Sequence, residues 1–216
     1  MTIDEFVDGL VKIETGAFKD IYAKYKNGFG AFENMYANNV EGHENTVNNL
    51  KLYLKKMLDL KPKYLLVGEA PGYKGCRWSG IPFTSEKNLV KNKFFGLHNG
   101  FKVRNVKKAQ TEQTSTIVWN CLDDIGIYPL LWDAFPFHPC ANRDPETEEL
   151  EFGKEFLKEI MSIFDILPEN VIAAGNYAKK SLESFTGFKN IEIKSVPLPV
   201  FGHKSPFVKG LKDYLK

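Results

Sequence analysis

Two stretches of the first sixty residues place apolar side chains at helical spacing. One covers residues 3–11 and the other residues 47–58. The pattern predicts that residues 2 to about 60 are largely helical, with a turn over Lys26–Phe32, where glycines gather. We therefore expect residues 1–60 to form a helical extension packed on a main domain of residues 61–216.

Beyond residue 60, short apolar runs alternate with helical patterns. Strands are predicted over Tyr64–Val67, Ile127–Phe135, Val171–Gly175 and Ile191–Val196, and helices over about 116–124, 144–164, 177–185 and after Pro206. The second of these helices has a marked start, with Asp144 as N-cap and Pro145 at the first helical position. The alternation predicts an α/β fold of three layers, α/β/α, around a mostly parallel four-stranded sheet.

Composition narrows the class of protein only a little. Of 216 residues, 43% are hydrophobic and 26% charged, as in an ordinary globular protein, and the net charge of +2 indicates no particular partner. No apolar run reaches the roughly 18 residues of a membrane helix, and the start MTIDEF does not resemble a signal peptide. Three widely spaced cysteines imply no disulfide framework and fit a reducing compartment. We expect a cytoplasmic protein, without a membrane partner, that is a monomer.

The loops after the predicted strands hold most of the candidate chemistry. The first is VGEAPGYKGCRWSGIPFT, residues 67–84, where a buried strand runs into a turn rich in glycine and proline. Because loops at the carboxyl ends of parallel strands meet at one edge, we expect these loops to form a ligand site. They bring together Glu69, Asp133, His138, Asn142, Arg143, Asn176, His203, Lys204 and Ser205. Nucleotide-binding glycine motifs, metal-ligand spacings and a serine-nucleophile motif are absent from the sequence.

A basic stretch lies between residues 91 and 108. It contains Lys91, Lys93, Lys102, Arg104, Lys107 and Lys108, with no acidic residue between Glu86 and Glu112. Phe94, Phe95 and Phe101 are interleaved with these charges. Basic and aromatic residues together suit a polyanion such as DNA, although a solvated loop has the same composition.

Four motifs occur in the order found in one enzyme family. They are GEAPG followed by GIPF, WDAFPFHPCANRDPETEE, VIAAGNYA and GHKSP. Over about residues 63–210 the chain thereby resembles the uracil-DNA glycosylase superfamily, and most of all its bacterial and archaeal branch with a GEAPG turn. The resemblance implies that a damaged base is flipped out of DNA, read in a pocket and removed by hydrolysis, without a metal or cofactor.

The resemblance also implies roles for individual residues. The catalytic residues are Glu69, which faces the sugar and its attacking water, and His203, which donates a hydrogen bond to the departing base. Phe83 is the aromatic floor of a base pocket that includes Ala70, Gly72, Tyr73 and Asp133. The residues expected to contact DNA are Lys204, Ser205, Lys91, Lys93, Arg104, Lys107, Lys108, Asn142 and Arg143.

The chain departs from the family pattern at four places. Asp133 replaces the asparagine that reads the base, Ala70 stands where well-known members have aspartate, and Lys204 replaces a proline. With only three cysteines, we expect no iron–sulfur cluster. An ionised Asp133 accepts but does not donate hydrogen bonds, so it would shift preference from uracil towards an amino-bearing base. A protonated Asp133 in a dry pocket could still read uracil.

Two other functions fit the same residues. The protein could bind nucleic acid or a nucleobase without excising it, which the replacements at Ala70 and Asp133 favour. It could instead act on a free nucleoside or nucleotide, in which case the basic stretch would have no role. Loss of excision on replacing Glu69 or His203 separates the glycosylase from the binding protein.

Overall fold

A parallel sheet of four strands lies at the centre of the computed structural model, which describes residues 1–13, 32–200 and 202–216. The strands are β1 (Phe32–Glu33), β2 (Leu65–Gly68), β3 (Leu130–Asp133), β4 (His138–Pro139), β5 (Val171–Ala174) and β6 (Lys194–Val196). The helices are α1 (Ile3–Val11), α2 (His43–Leu60), α3 (Cys76–Ser79), α4 (Glu86–Lys91), α5 (Gln113–Ile125), α6 (Thr147–Ile163), α7 (Asn176–Glu183) and α8 (Lys204–Tyr214). The central sheet has the order β3-β2-β5-β6 with all neighbours parallel, which confirms the predicted fold class.

The sheet is buried in the way that parallel sheets require. Every residue of β2, β3 and β5 is buried, which is why these strands read as continuous apolar runs rather than as alternating ones. Helix α7 packs against β5 and α8 against β6. At the carboxyl edge, Gly68 of β2 lies opposite Asp133 of β3, so the loops that follow both strands start side by side.

Some predicted boundaries are wrong. The second predicted strand is only β3, because the chain leaves the strand conformation at Ala134. The backbone N–H groups of Ala134 and Phe135 still donate to the carbonyls of Gly68 and Glu69, at 2.8 and 3.0 Å. These bonds tie the two loops together beyond the sheet. The last strand is also shorter than predicted, and only Lys194–Val196 pairs with β5.

The starts of two helices differ from their predictions. Helix α6 begins at Thr147 with Glu146 as its cap, and not at Asp144 and Pro145. The backbone N–H of Glu146 donates to the Glu149 carboxylate at 2.8 Å, whereas the carboxylate of Asp144 accepts from the hydroxyl of Tyr177 at 3.0 Å. Helix α8 begins two residues before Pro206, which is tolerated because the first turn of a helix leaves its N–H groups without partners.

The first sixty residues are not wholly helical. Strand β1 pairs antiparallel with β4, placing Glu33 opposite His138. Helix α1 packs on α2, and the ring of Phe6 lies 5.4 Å from that of Trp132 in β3. Nearly all of the turn predicted over Lys26–Phe32 lies outside the described residues. The domain boundary at residue 60 stays a prediction; the buried residues on both sides of it form one hydrophobic cluster.

Candidate active site

A cavity of about 250 Å³ opens at the carboxyl edge of the sheet. Its walls come from the loops after β2 and β3, the start of α5 and the loop before α8. It is lined by Glu69, Ala70, Gly72, Cys76, Phe83, Glu112, Thr114, Asp133, Asn142, Asp144 and Leu198. The structure thus brings together Glu69, Asn142 and the predicted base-pocket residues except Tyr73.

Glu69 is held at the amino-terminal end of α7. Its Oε1 accepts a hydrogen bond from the backbone N–H of Tyr177 at 2.9 Å, and the N–H of Asn176 also contributes. Gly175 has a φ of +102°, and a Cβ there would overlap with the Glu69 side chain. The pKa of Glu69 is raised, mainly by burial and also by the charge of Asp144. The two backbone N–H groups act in the opposite direction and lower it. The helix end therefore fixes a carboxyl group against the cavity.

Phe83 and Asp133 together explain why Gly68 carries no side chain. A Cβ on Gly68 would overlap with Oδ1 of Asp133 and would lie 2.5 Å from the tip of the Phe83 ring. Phe83 is 7% exposed, and its φ of +54° lies in the left-handed region that costs a bulky residue about 1–3 kcal/mol. The surrounding loop holds this strained backbone, which directs the ring at the end of β2.

Asp133 is an acid buried at the end of β3. It is 3% exposed, and its Oδ2 has no hydrogen-bond partner among the described residues. Burial raises its pKa strongly, and the charges of Glu112 and Glu69 raise it further. Burial and the two neighbouring charges therefore favour the neutral carboxylic acid, which has an O–H to donate and a carbonyl to accept.

Comparison with known proteins assigns the chain to a family. A model of the family described as "Uracil DNA glycosylase superfamily" matches residues 56–212. The chain belongs to the uracil DNA glycosylase superfamily. We find no curated protein sequence that matches it. Membership supports DNA glycosylase activity in general, with DNA as the substrate.

The chain shares its fold with solved structures, one of which is a bacterial protein. The wild-type SMUG2 of Pedobacter heparinus matches with a TM-score of 0.62 and 17% sequence identity, over 96% of this chain and 95% of that chain. At this identity the likeness shows the fold alone. Because it covers nearly the whole chain, the shared fold takes in the N-terminal region as well as the part matched by the superfamily.

The N-terminal region braces the loop that follows the GEAPG motif. The hydroxyl of Tyr36 donates to the carbonyl of Gly80 at 2.9 Å, and the side-chain amide of Asn49 donates to the carbonyl of Ser79 at 2.8 Å. Glu33 accepts two hydrogen bonds from Arg77, at 2.9 and 2.6 Å. Residues 32–60 thus fix the loop that carries Phe83.

His138 braces the GEAPG motif from β4. Its Nδ1 lies 2.7 Å from the carbonyl of Pro71, so this nitrogen carries the proton and donates it. Burial lowers the pKa of His138, which favours the neutral ring. Tyr73, predicted as a base-pocket residue, lies outside the cavity wall and is 50% exposed. Its ring packs on His138 at 5.8 Å and under the guanidinium of Arg77 at 4.7 Å.

The predicted catalytic His203 is not part of the cavity wall. It is the exposed N-cap of α8, and Lys204 and Ser205 in the first turn are exposed as well. Its backbone N–H donates to the carbonyl of Val200 at 2.9 Å. The loop reaches the cavity through Leu198, five residues earlier. The roles of these three residues stay predictions.

Asn142 and Arg143 have different surroundings although they are adjacent. Asn142 lines the cavity, at the end of a turn where Ala141 and Asn142 both have positive φ, +61° and +55°. The guanidinium of Arg143 donates to both oxygens of the buried Glu149, at 2.6 and 2.8 Å. Arg143 therefore anchors the loop to α6, and DNA contact by either residue stays a prediction.

The basic stretch has exposed basic residues and buried aromatic rings. Lys91, Lys93, Lys102, Arg104, Lys107 and Lys108 are exposed. Phe94, Phe95 and Phe101 are buried in a cluster with Trp119, so the interpretation that they interleave with the charges at a DNA surface is wrong. The buried carboxylate of Glu86 anchors the stretch by accepting from the backbone N–H groups of Arg104 and Gln110, at 2.8 and 2.9 Å.

Glu112 is a site residue that sequence reasoning missed. It precedes α5 and lies over the GEAPG loop, where a Cβ on Gly72 or Gly75 would overlap with its carboxylate. Burial raises the pKa of Glu112 to about 7. One sequence signal could have pointed to this site. Gly72 and Gly75 lack side chains, and Glu112 is the first acidic residue after a long stretch without acids.

None of the described helices combines the length and the apolar character needed to cross a bilayer. No group of three His, Cys, Asp or Glu side chains within the described residues is arranged to hold a metal ion.

Proposed function

We propose that this protein is a DNA repair glycosylase that hydrolyses the N-glycosidic bond of a flipped uracil or another damaged base. The observation that carries the proposal is the shared cavity of Glu69, Phe83 and Asp133 at the carboxyl edge of the sheet. A cavity of about 250 Å³ suits one nucleobase with part of its sugar. The protein acts as a monomer in the cytoplasm and belongs with the GEAPG-type branch, although it carries no iron–sulfur cluster.

Cleavage of an N-glycosidic bond develops positive charge on the sugar and negative charge on the departing base. Glu69 stabilises the sugar cation and orients the attacking water, because a fixed carboxylate is most effective where positive charge appears. The hydrogen bonds from the start of α7 favour its ionised form and hold it in place. His203 donates to the base oxygen on which negative charge accumulates, after the loop before α8 closes on bound DNA.

The remaining residues bind and select the base. The flipped base stacks on Phe83, with Ala70 and Gly72 around its edge and Asp133 opposite its hydrogen-bonding face. Lys204, Ser205, Asn142 and Arg143 contact the phosphates next to the flipped nucleotide. Lys91, Lys93, Arg104, Lys107 and Lys108 attract the DNA backbone over a longer range.

Single-turnover excision tests the proposal directly. End-labelled oligonucleotides carry one uracil, hypoxanthine, xanthine or cytosine, and alkaline cleavage reveals abasic sites. We expect excision of at least one base by the wild type and its loss in both Glu69→Ala and His203→Ala. Excision that survives Glu69→Ala would remove the role given to this carboxylate.

The position of His203 favours one second candidate. Because His203 lies outside the cavity wall, a protein that binds a flipped base without excising it fits the same geometry. In that case the wild type binds DNA at low salt and forms no abasic sites. Replacement of Glu69 or His203 then leaves the affinity for DNA unchanged.

A further inference from the structure

Glu112 and Asp133 are two cavity acids to which none of the described residues donates a hydrogen bond. In the described parts of the chain, no hydrogen bond or ion pair reaches the carboxylate of Glu112. Oδ2 of Asp133 is buried and likewise unpartnered. The other two acids of the cavity do have partners, since Glu69 accepts from Tyr177 N–H and Asp144 accepts from its hydroxyl.

Acidic side chains dominate the charge of the cavity. Its lining includes four acids and, within the described residues, no lysine, arginine or histidine. The charge of Glu112 acts on both Asp133 and the buried thiol of Cys76, so the three groups share one low-dielectric region. Two like charges in such a region cannot both ionise easily.

We propose that Glu112 is a further base-recognition residue, which forms with Asp133 a carboxyl pair that holds one proton and reads the lactam edge of a base. A lactam edge places a carbonyl acceptor beside an N–H donor, as in uracil and hypoxanthine. The inference rests on the proposed function, and it assigns to Glu112 a role that the sequence motifs do not indicate.

The chemistry follows from the groups that a carboxylic acid offers. The neutral Asp133 donates its O–H to the base carbonyl and accepts the base N–H on its own carbonyl oxygen, as an asparagine amide would. Ionised Glu112 holds the proton on its neighbour. Without that proton, two carboxylates would face the base carbonyl, and recognition would fail.

Burial favours a proton on either acid, and the charge of ionised Glu112 favours it on Asp133. Burial raises the pKa of Glu112 to about 7 and that of Asp133 well above its ordinary value, with Glu112 as the largest charge acting on Asp133. The other titratable groups of the region are Glu69, Asp144, Cys76 and Tyr36. Glu112 does not contribute to the pKa of Glu69, so a change at residue 112 should leave Glu69 in its own titration range.

The pH dependence of single-turnover excision of uracil tests the pair. We expect the rate to fall at alkaline pH as the pair loses its proton, and Glu112→Gln to move this fall to lower pH by about one pH unit. The rise at acidic pH, which reports Glu69, should stay in place. Asp133→Asn should still excise uracil, and its rate should fall at alkaline pH only because the base itself loses a proton. In the double variant with Glu112→Gln, the pH of this fall should not shift further. An alkaline fall that Glu112→Gln leaves unmoved would overturn the proposal.

Carbon-13 NMR of the side-chain carboxyl groups separates failure of the pair from failure of the proposed function. With the same variants for assignment, we expect Asp133 in the wild type to titrate well above its ordinary range and to titrate lower in Glu112→Gln. Ordinary titration of both groups overturns the carboxyl pair even if uracil is excised. If no base is excised, the proposed function fails, and elevated, coupled titrations still support the pair.

Discussion

The carboxylate of Glu69, the residue that follows β2, accepts a hydrogen bond from the backbone N–H of Tyr177 at 2.9 Å. The two residues are far apart in the sequence, and the parallel pairing of β2 with β5 brings their loops together. The bond makes the start of α7 part of the candidate site, because it orients the carboxylate and stabilises its charge.

Replacing Glu69 by glutamine should abolish most excision without loss of DNA binding. The amide keeps the shape and can still accept from Tyr177 N–H, but it removes the negative charge opposite the sugar cation. We expect the single-turnover rate to fall roughly 10²–10⁴-fold. The matched control is Glu183→Gln, an exposed glutamate at the other end of α7. A similar loss in the control would point to an effect on the helix rather than on the cavity.

His203→Ala should lower the rate of excision and leave the free energy of unfolding within about 0.5 kcal/mol of the wild type. The ring is exposed at the N-cap of α8, so its removal leaves no buried gap. His98→Ala, at another exposed histidine, is the control for excision. An unchanged rate in His203→Ala would mean that the loop before α8 does not close on the base.

Phe83→Leu should weaken binding of DNA that contains the damaged base more than binding of undamaged DNA. Leucine keeps an apolar side chain beside Gly68 but removes the aromatic face, and stacking on a base is worth about 1–3 kcal/mol. The difference between the two affinities should therefore shrink by a factor of roughly 5 to 150. Phe101→Leu, a buried substitution away from the cavity, should lower stability and leave that difference intact.

The sequence predicted those site residues whose place in the fold depends on their position along a strand. Apolar runs predict buried parallel strands, and parallel strands bring their carboxyl-end loops together, so Glu69, Asp133 and Asn142 were predicted to converge. Glu112 was missed because it precedes a helix and reaches the cavity across Gly72, which no local pattern encodes. The direction of Phe94 was missed for a similar reason, since a ring between lysines can turn inwards as readily as outwards.

The basic stretch should contribute to the salt dependence of DNA binding. Lys107→Gln/Lys108→Gln removes two exposed charges, and we expect the slope of log affinity against log salt to become shallower by roughly 1 to 2. Lys158→Gln/Lys189→Gln removes two exposed lysines elsewhere and is the control for net charge. Equal slopes for the two double variants would favour a substrate that is a free nucleoside or nucleotide.

Glu112 should make the protein less stable as pH rises. Its pKa in the folded state is raised from the ordinary 4.5 to about 7, so between these values the folded state binds more protons than the unfolded state. Stability therefore falls as pH rises through this window, and the loss is complete above it. Allowing for partial exposure, Glu112→Gln should be more stable than the wild type by about 1–2 kcal/mol at pH 8, with less difference near pH 4.

Urea unfolding at both pH values measures the change in stability at residue 112. Glu41→Gln, at an exposed position, is the control and should match the wild type at both pH values. If Glu112→Gln is no more stable at pH 8 than the wild type, Glu112 already has a partner for its charge in solution. The carboxylate would then lie outside the low-dielectric part of the cavity, and Asp133 would lose the neighbour that favours its neutral form.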